Sequence, residues 1–178
     1  MSDALSSDIR SEENPHISVA DPDSRKKLAA RMAAATADTY ILLAKTQGYH
    51  WNVTGPLFVS IHELTEKQYQ DLFEAADDLA ERIRALGEAS PGSYKRFAEL
   101  SAVDEDDGQP KSAKVMVEAL AHDNELVARR MKAASDVAED LGDKVSEDML
   151  IERMQVHEQN AWMLRAIVAD TSGHDSRH

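Results

Sequence analysis

The sequence predicts an all-α protein built as one bundle of four long helices. Its 178 residues include only seven Gly and five Pro, so few positions interrupt helices. Apolar residues recur at spacings of three and four over four long segments, and no alternating strand pattern competes with them. A chain of this length fits one domain with a sizeable core.

The helices can be placed in order from their start and stop signals. Residues 1–23 are rich in Ser, Asp and Pro and predict a disordered tail, and residues 171–178 predict a flexible one. Between them, Asn52–Pro56, Gly87 and the stretch ending at Pro110 break the helical pattern. The long helices are expected from the Asp23-Ser24 cap to about His50, from Leu57 to Leu86, from Ser112 to Leu141 and from Lys144 to Asp170, with a short helix at Tyr94 to Leu100.

Four long helices with one long middle connection are typical of a ferritin-like bundle, which we assign to residues 24–170. We expect His122 and His157 to be core histidines, because they fall on apolar stripes, and Trp162 to lie in the core or an interface. The stripe of the third long helix is predicted to contain Val115, Ala119, His122, Leu126, Ala133 and Val137, and that of the fourth Met149, Met154, His157, Ala161, Leu164 and Val168.

Composition excludes several classes of function. The absence of Cys rules out a disulfide scaffold, a zinc-thiolate site and a Cys nucleophile. No segment is apolar enough for a signal peptide or a membrane span, so we expect a cytoplasmic protein with no membrane partner. The net charge of −13 argues against a basic nucleic-acid surface and favours cations as partners, although solubility alone could explain it.

The stretch HWNVTGPLFVSIHELTE places His50 and His62 on either side of a turn. His62 and Glu66 are four residues apart on the second long helix, as are Asp77 and Glu81, so each pair shares a helical face. The eleven residues from Glu66 to Asp77 rise about 16 Å, so the two pairs of one chain cannot bind the same ion.

Two copies of this helix, packed antiparallel across a two-fold axis near Asp71 and Leu72, would bring the two pairs together and create two equivalent intersubunit sites. His50 can add a further imidazole. Such a mixed nitrogen and oxygen ligand set suits ferrous iron or manganese better than magnesium, and zinc stays open. The alternative is that these acidic pairs are ordinary solvated helix faces.

The chain carries the motif HWNVTGPLF, the second His twelve residues after the first, the acid four residues later and the later segment DDLAERIRALG. In these features the chain resembles the Dps family (DNA-binding proteins from starved cells), the miniferritins. The resemblance extends from about Arg25 to Ala169. It implies a hollow dodecamer that oxidises Fe²⁺, preferably with hydrogen peroxide, and stores the ferric mineral. The implied iron ligands, with two iron positions possible at each site, are His50, His62 and Glu66 of one subunit and Asp77 and Glu81 of its partner.

Three further expectations follow from the resemblance. The family commonly has Asp at position 66, so the longer Glu66 is expected to weaken the second iron position. Trp51 matches an aromatic residue that can give up electrons to stray oxidants, with core packing as its alternative role. Iron is expected to pass through pores lined by acids around the last interhelical turn, for which we nominate Asp140, Asp143, Glu147 and Asp148.

Two rival functions remain at the level of sequence. One is a non-enzymatic metal buffer or nucleoid scaffold that binds DNA through divalent cations, and the other is a helical oligomer whose acids only solvate it. Direct DNA binding is expected to be weak, because the first 27 residues contain only Arg10 and the Arg25-Lys26-Lys27 cluster as basic residues.

Overall fold

The computed structural model describes residues 21–169 and folds them entirely into helices and their connections. No strand occurs within this range, and none of its helices is long and apolar enough to cross a membrane. The predicted bundle and the short connecting helix are therefore confirmed, whereas residues 1–20 and 170–178 of the predicted tails lie outside the described range. The helices are α1 (Pro22–Asn52), α2 (Phe58–Ala85), α3 (Tyr94–Leu100), α4 (Ala113–Asp140) and α5 (Lys144–Val168).

Local sequence explains where the helices begin and end. The Asp21 carboxylate accepts hydrogen bonds from the backbone N–H groups of Asp23 and Ser24, both at 3.1 Å, so the predicted Asp23-Ser24 cap is wrong by about two residues. Pro22 fits the first helical position because it has no N–H to satisfy. Gly87 ends α2 as predicted, since its φ of 92° is a left-handed conformation that costs glycine little.

Buried and partly buried ion pairs define how the helices pack. Arg82 and Arg153 bind Asp143 and Asp71 respectively, which fixes α2 antiparallel to α5. Two further pairs, Lys45 with Asp123 and Arg130 with Asp38, fix α1 antiparallel to α4. Because α1 and α2 form one antiparallel hairpin and α4 and α5 another, the connection carrying α3 must run the length of the bundle, which is the ferritin-like topology.

Asp38 fastens this long connection to the bundle. Its carboxylate is fully buried and accepts hydrogen bonds from Arg130 Nε at 2.8 Å, from the Ser101 hydroxyl at 2.9 Å and from the Ala102 N–H at 2.6 Å. Phe97 of α3 stacks on Tyr40 of α1. A single acidic residue therefore joins α1, α4 and the connection after α3.

The core contains His157, Ala161 and Leu164 of the predicted α5 stripe, and Ala119, Leu126 and Val137 of the predicted α4 stripe pack against it, but the other three residues of the α4 stripe were placed wrongly. Val115, His122 and Ala133 are exposed, because α4 turns the neighbouring row of larger apolar residues inward. Trp162 is also exposed in the single chain, so its placement in the subunit core is wrong. The α4 residues that are buried are Met116, Val117, Leu120, Ala121, Asp123, Asn124, Val127, Ala128, Met131, Ala134, Ser135 and Ala138.

Candidate metal centre

The turn between α1 and α2 brings His50 and His62 together as the sequence indicated. Their rings stack with centroids 3.8 Å apart and planes inclined by 17°. His50 is buried near the end of α1, while His62 is partly exposed in the first turns of α2. The Thr-Gly-Pro break folds back tightly because Gly55 adopts a φ of 99°, so the two helix ends meet.

Each of these rings is held by the backbone of the other residue. Nδ1 of His50 lies 2.9 Å from the carbonyl oxygen of His62, and Nδ1 of His62 lies 3.0 Å from the carbonyl oxygen of His50. A carbonyl oxygen can only accept, so both Nδ1 atoms carry the hydrogen. In the neutral rings, both Nε2 atoms then keep their lone pairs, which is the tautomer that a metal ion requires.

Three neighbours fix the positions of the histidine rings, and sequence reasoning missed all three. The Thr65 hydroxyl donates to the carbonyl oxygen of Ile61 at 2.7 Å and lies 3.4 Å from His50 Nδ1. Tyr69 meets the ring of His50 edge-on, and Phe58 stacks on His62. Thr65 and Tyr69 follow His62 at spacings of three and seven, a helical stripe that could have revealed them.

The three predicted carboxylates lie on the exposed side of α2. Glu66, Asp77 and Glu81 are all exposed in the single chain. Because α2 is unbroken from Phe58 to Ala85, the rise of about 16 Å between Glu66 and Asp77 applies. Within residues 21–169 of one chain, no three His, Asp or Glu side chains are placed to hold one metal ion. One chain thus brings the two histidines together but leaves Asp77 and Glu81 apart from them.

At the level of the postulated two-fold axis, Asp71 and Leu72 are already engaged within the subunit. Asp71 accepts two hydrogen bonds from Arg153, at 2.9 and 2.7 Å, and Leu72 is buried in the core. Phe73, next in the chain, is 63% exposed and is free to meet another subunit. If the two-fold axis passes at this height, Phe73 rather than Asp71 or Leu72 would contact the partner subunit there.

Trp51 does not pack in the core of the single chain. Its side chain is 67% exposed, so the core-packing alternative is wrong for the isolated subunit. Trp51 is one of several large aromatic and apolar side chains of α1, α2 and α3 that are exposed in the single chain. We call this set the aromatic face: Trp51, Phe58, Val59, Phe73 and Tyr94, all at least 40% exposed.

Tyr49, which precedes His50, links α1 to the long connection. Its hydroxyl donates to the Asp106 carboxylate at 2.6 Å, and Lys111 binds the same carboxylate at 2.9 Å. Burial raises the pKa of Tyr49, and the bond to Asp106 raises it further. Partial burial acts to raise the pKa of Asp106, but the hydrogen bonds from Tyr49 and Lys111 outweigh it and lower that pKa to about 2. Both groups therefore keep fixed protonation states near neutral pH.

The four nominated pore acids have different surroundings. Asp140 and Asp148 are exposed, whereas Glu147 is half-buried and binds Lys144 at 2.6 Å. Asp143 is buried, accepts two hydrogen bonds from Arg82 and caps α5 through the Ser146 N–H. Its nomination as a pore acid is therefore wrong, because its carboxylate is already committed to joining α2 and α5.

Comparisons with known proteins agree with this geometry. A family profile described as a ferritin-like domain matches residues 29–173. The chain is 33% identical over 132 residues to DNA protection during starvation protein 2 of Bacillus anthracis, spanning 74% of this chain and 90% of that protein. The chain belongs to the Dps family of ferritin-like proteins. It is also 41% identical over 133 residues, 74% of each chain, to a low temperature-induced protein of Nostoc.

Solved structures extend the likeness to Dps proteins in three dimensions. Dps from Staphylococcus aureus matches with a TM-score of 0.78 and 30% identity, covering 82% of this chain and 97% of that one. DpsC from Streptomyces coelicolor matches with a TM-score of 0.84 and 26% identity, covering 89% and 92%. The similarity to Dps proteins in three dimensions therefore covers more than four fifths of this chain.

Proposed function

We propose that this Dps-family protein is a ferroxidase that oxidises Fe²⁺ with hydrogen peroxide and stores the ferric product inside a hollow dodecamer. The observation that carries the proposal is the His50 and His62 pair, whose Nδ1 hydrogens are both taken by backbone carbonyls. This arrangement prepares two Nε2 lone pairs for a metal ion. An ordinary solvated helix face does not require two stacked, mutually braced imidazoles.

The site requires two subunits. His50, His62 and Glu66 would come from one chain, and Asp77 and Glu81 from its partner, because one straight α2 cannot bring its own pairs together. An isologous contact between two copies of α2 repeats the same site on both sides of the axis. The exposed aromatic face is the surface we assign to this contact, since a patch of large apolar side chains favours burial against another subunit.

The proposed ligands fit the chemistry of iron oxidation. Three carboxylates offset the charge of bound iron and favour the ferric state, while two imidazoles suit Fe²⁺ and leave coordination positions open for the oxidant. Peroxide needs two electrons and two protons to form two water molecules, and two neighbouring Fe²⁺ ions supply both electrons. Trp51, exposed beside His50, can supply an electron to a stray oxidant.

The net negative charge of the shell supports iron storage and the protection of DNA. With −13 per chain, the assembled protein attracts Fe²⁺ and raises its local concentration, and Asp140, Glu147 and Asp148 are the acids we propose for its pores. We propose that it works in the cytoplasm and protects DNA by removing Fe²⁺ and peroxide rather than by coating the DNA. A metal buffer or cation-bridged nucleoid scaffold is the alternative, and it would bind iron without accelerating its oxidation.

The test is stopped-flow oxidation of Fe²⁺ by peroxide in shells assembled from mixed variants. His62→Ala and Asp77→Ala chains should each be nearly inactive alone, because every site loses one ligand. Mixed shells should recover activity, since a dimer of the two variants keeps one complete site and loses the other. Asp78→Ala, which removes a neighbouring exposed acid, is the matched control and should stay active. Assembled mixtures no more active than either variant alone would contradict an intersubunit site.

A further inference from the structure

Two side chains in the middle of the bundle are buried with polar atoms that have no partner. His157 of α5 is 0% exposed and its Nε2 has no hydrogen bond, while Gln68 of α2 is 3% exposed and neither atom of its amide is bonded. Among the described residues, the remaining buried side-chain atoms without a partner are Arg153 Nε and Ser90 Oγ. Such groups are uncommon in folded proteins, because a polar atom left unpaired in the core destabilises the folded state.

The helix register places Gln68 opposite His157. Asp71 of α2 and Arg153 of α5 form a two-bond ion pair, and α2 runs antiparallel to α5. Gln68 lies about one turn before Asp71, and His157 lies about one turn after Arg153. In an antiparallel pair these two positions face each other. The unpartnered groups therefore lie at the same level of the core, where α2 packs against α5.

Hydrogen bonds define the chemistry of this place. The Asn124 amide donates to the Leu120 carbonyl at 2.8 Å, so its oxygen is the atom that faces His157 Nδ1 at 2.9 Å. Nδ1 must then carry the hydrogen and donate it, which leaves Nε2 as an acceptor. Burial, together with the nearby Arg153 cation, lowers the pKa of His157 to about 3 and keeps the ring neutral. The polar groups without a partner are thus the Nε2 acceptor of His157 and both the oxygen and the NH₂ group of the Gln68 amide.

A metal ion is a poor occupant of this place. Metal sites in bundle cores use several inward carboxylates from facing helices. Here the buried or half-buried acids at this level, Asp71 and Asp123, are already paired with Arg153 and Lys45. Gln68 and Asn124 contribute only neutral amides, and the Arg153 guanidinium repels a second cation.

We propose that Gln68 and His157 bind an ordered water molecule in the subunit core. The water would donate one hydrogen to His157 Nε2 and bond to the Gln68 amide with its remaining hydrogen or lone pair. Water fits because it both donates and accepts, and a buried water commonly satisfies about three such groups.

Crystal structures at about 1.5 Å test this, with crystals of the assembled protein grown metal-free and then soaked anaerobically in Fe²⁺ or in Zn²⁺. A solvent peak within about 2.7–3.2 Å of both His157 Nε2 and the Gln68 amide is expected, with no anomalous signal from either metal there. A direct Gln68–His157 hydrogen bond without a solvent peak would overturn the proposal, and so would an anomalous peak at Nε2.

A variant pair tests the role of Gln68 itself. Gln68→Met keeps most of the volume but removes both polar atoms, so the solvent peak should vanish or move away from position 68 while the His157–Asn124 bond remains. Gln70→Met, at an exposed position of the same helix, is the matched control and should leave the peak unchanged. An unaltered peak in Gln68→Met crystals would show that Gln68 does not bind the water.

Discussion

Acidification is expected to destabilise the subunit through His157. The folded protein keeps this ring neutral, with a pKa of about 3, because burial disfavours the charged ring and the nearby Arg153 cation disfavours it further, while Asp71 is already paired. The unfolded chain protonates the same ring near its ordinary pKa of about 6.5. Between these two values the unfolded state binds one more proton, so stability falls as the pH falls.

The magnitude follows from the two pKa values. Between pH 7 and pH 4 the protonation of His157 in the unfolded state costs the folded subunit about 3 kcal/mol, and the loss is complete only below the folded pKa. Many carboxylates also titrate over this range, so the useful quantity is the difference between the native protein and a variant without this imidazole. His157→Gln is that variant, since its amide can still donate to Asn124.

The assay is urea unfolding of both proteins at several pH values and one subunit concentration, because assembly contributes to apparent stability. His157→Gln should be less stable at pH 7 but lose about 3 kcal/mol less on acidification to pH 4. His122→Gln, at an exposed position of α4, is the control and should follow the native protein. If native and His157→Gln proteins lost stability in parallel, the buried imidazole would not be the source of the acid sensitivity.

Three other outcomes are expected. Asp38→Ala should lower the unfolding free energy by about 3 kcal/mol, because it removes the buried carboxylate that accepts hydrogen bonds from Arg130, Ser101 and Ala102. Asp136→Ala on the surface should have little effect, and equal thermal midpoints for the two variants would contradict this. Glu66→Asp should tighten the second step of Fe²⁺ binding, and identical isotherms for both proteins would show that the longer side chain reaches equally well. DNA binding in EDTA at physiological salt should be weak or absent, and tight binding with a steep salt dependence in a mobility-shift assay would contradict it.

Sequence patterns were sufficient to predict the helices and the pairing of the two histidines at the centre of the candidate site. Gly and Pro breaks placed the long helices within about two residues, because caps and left-handed glycines act locally. His50 and His62 could be paired from their spacing around a tight turn. Their reciprocal hydrogen bonds to backbone carbonyls could not be predicted, since these bonds depend on how the turn closes.

The wrong predictions of burial arose where the sequence is compatible with more than one buried face of a helix. Helix α4 carries apolar residues on two neighbouring rows, and only packing against α1 and α5 selects the row with Leu120 and Met131. Asp143 was indistinguishable in sequence from its exposed neighbours, because its partner Arg82 lies 61 residues away. The facing positions of Gln68 and His157 likewise required the register between α2 and α5.

Iron-soaked crystals with anomalous scattering at the iron edge test the central claim, that oxidation takes place at a centre shared by two subunits. We expect iron at the Nε2 atoms of His50 and His62 and at Glu66 of one subunit, with Asp77 and Glu81 approaching from the two-fold related chain. Iron bound entirely by the side chains of one subunit, or absent from the His62 region while present elsewhere, would contradict the proposed function.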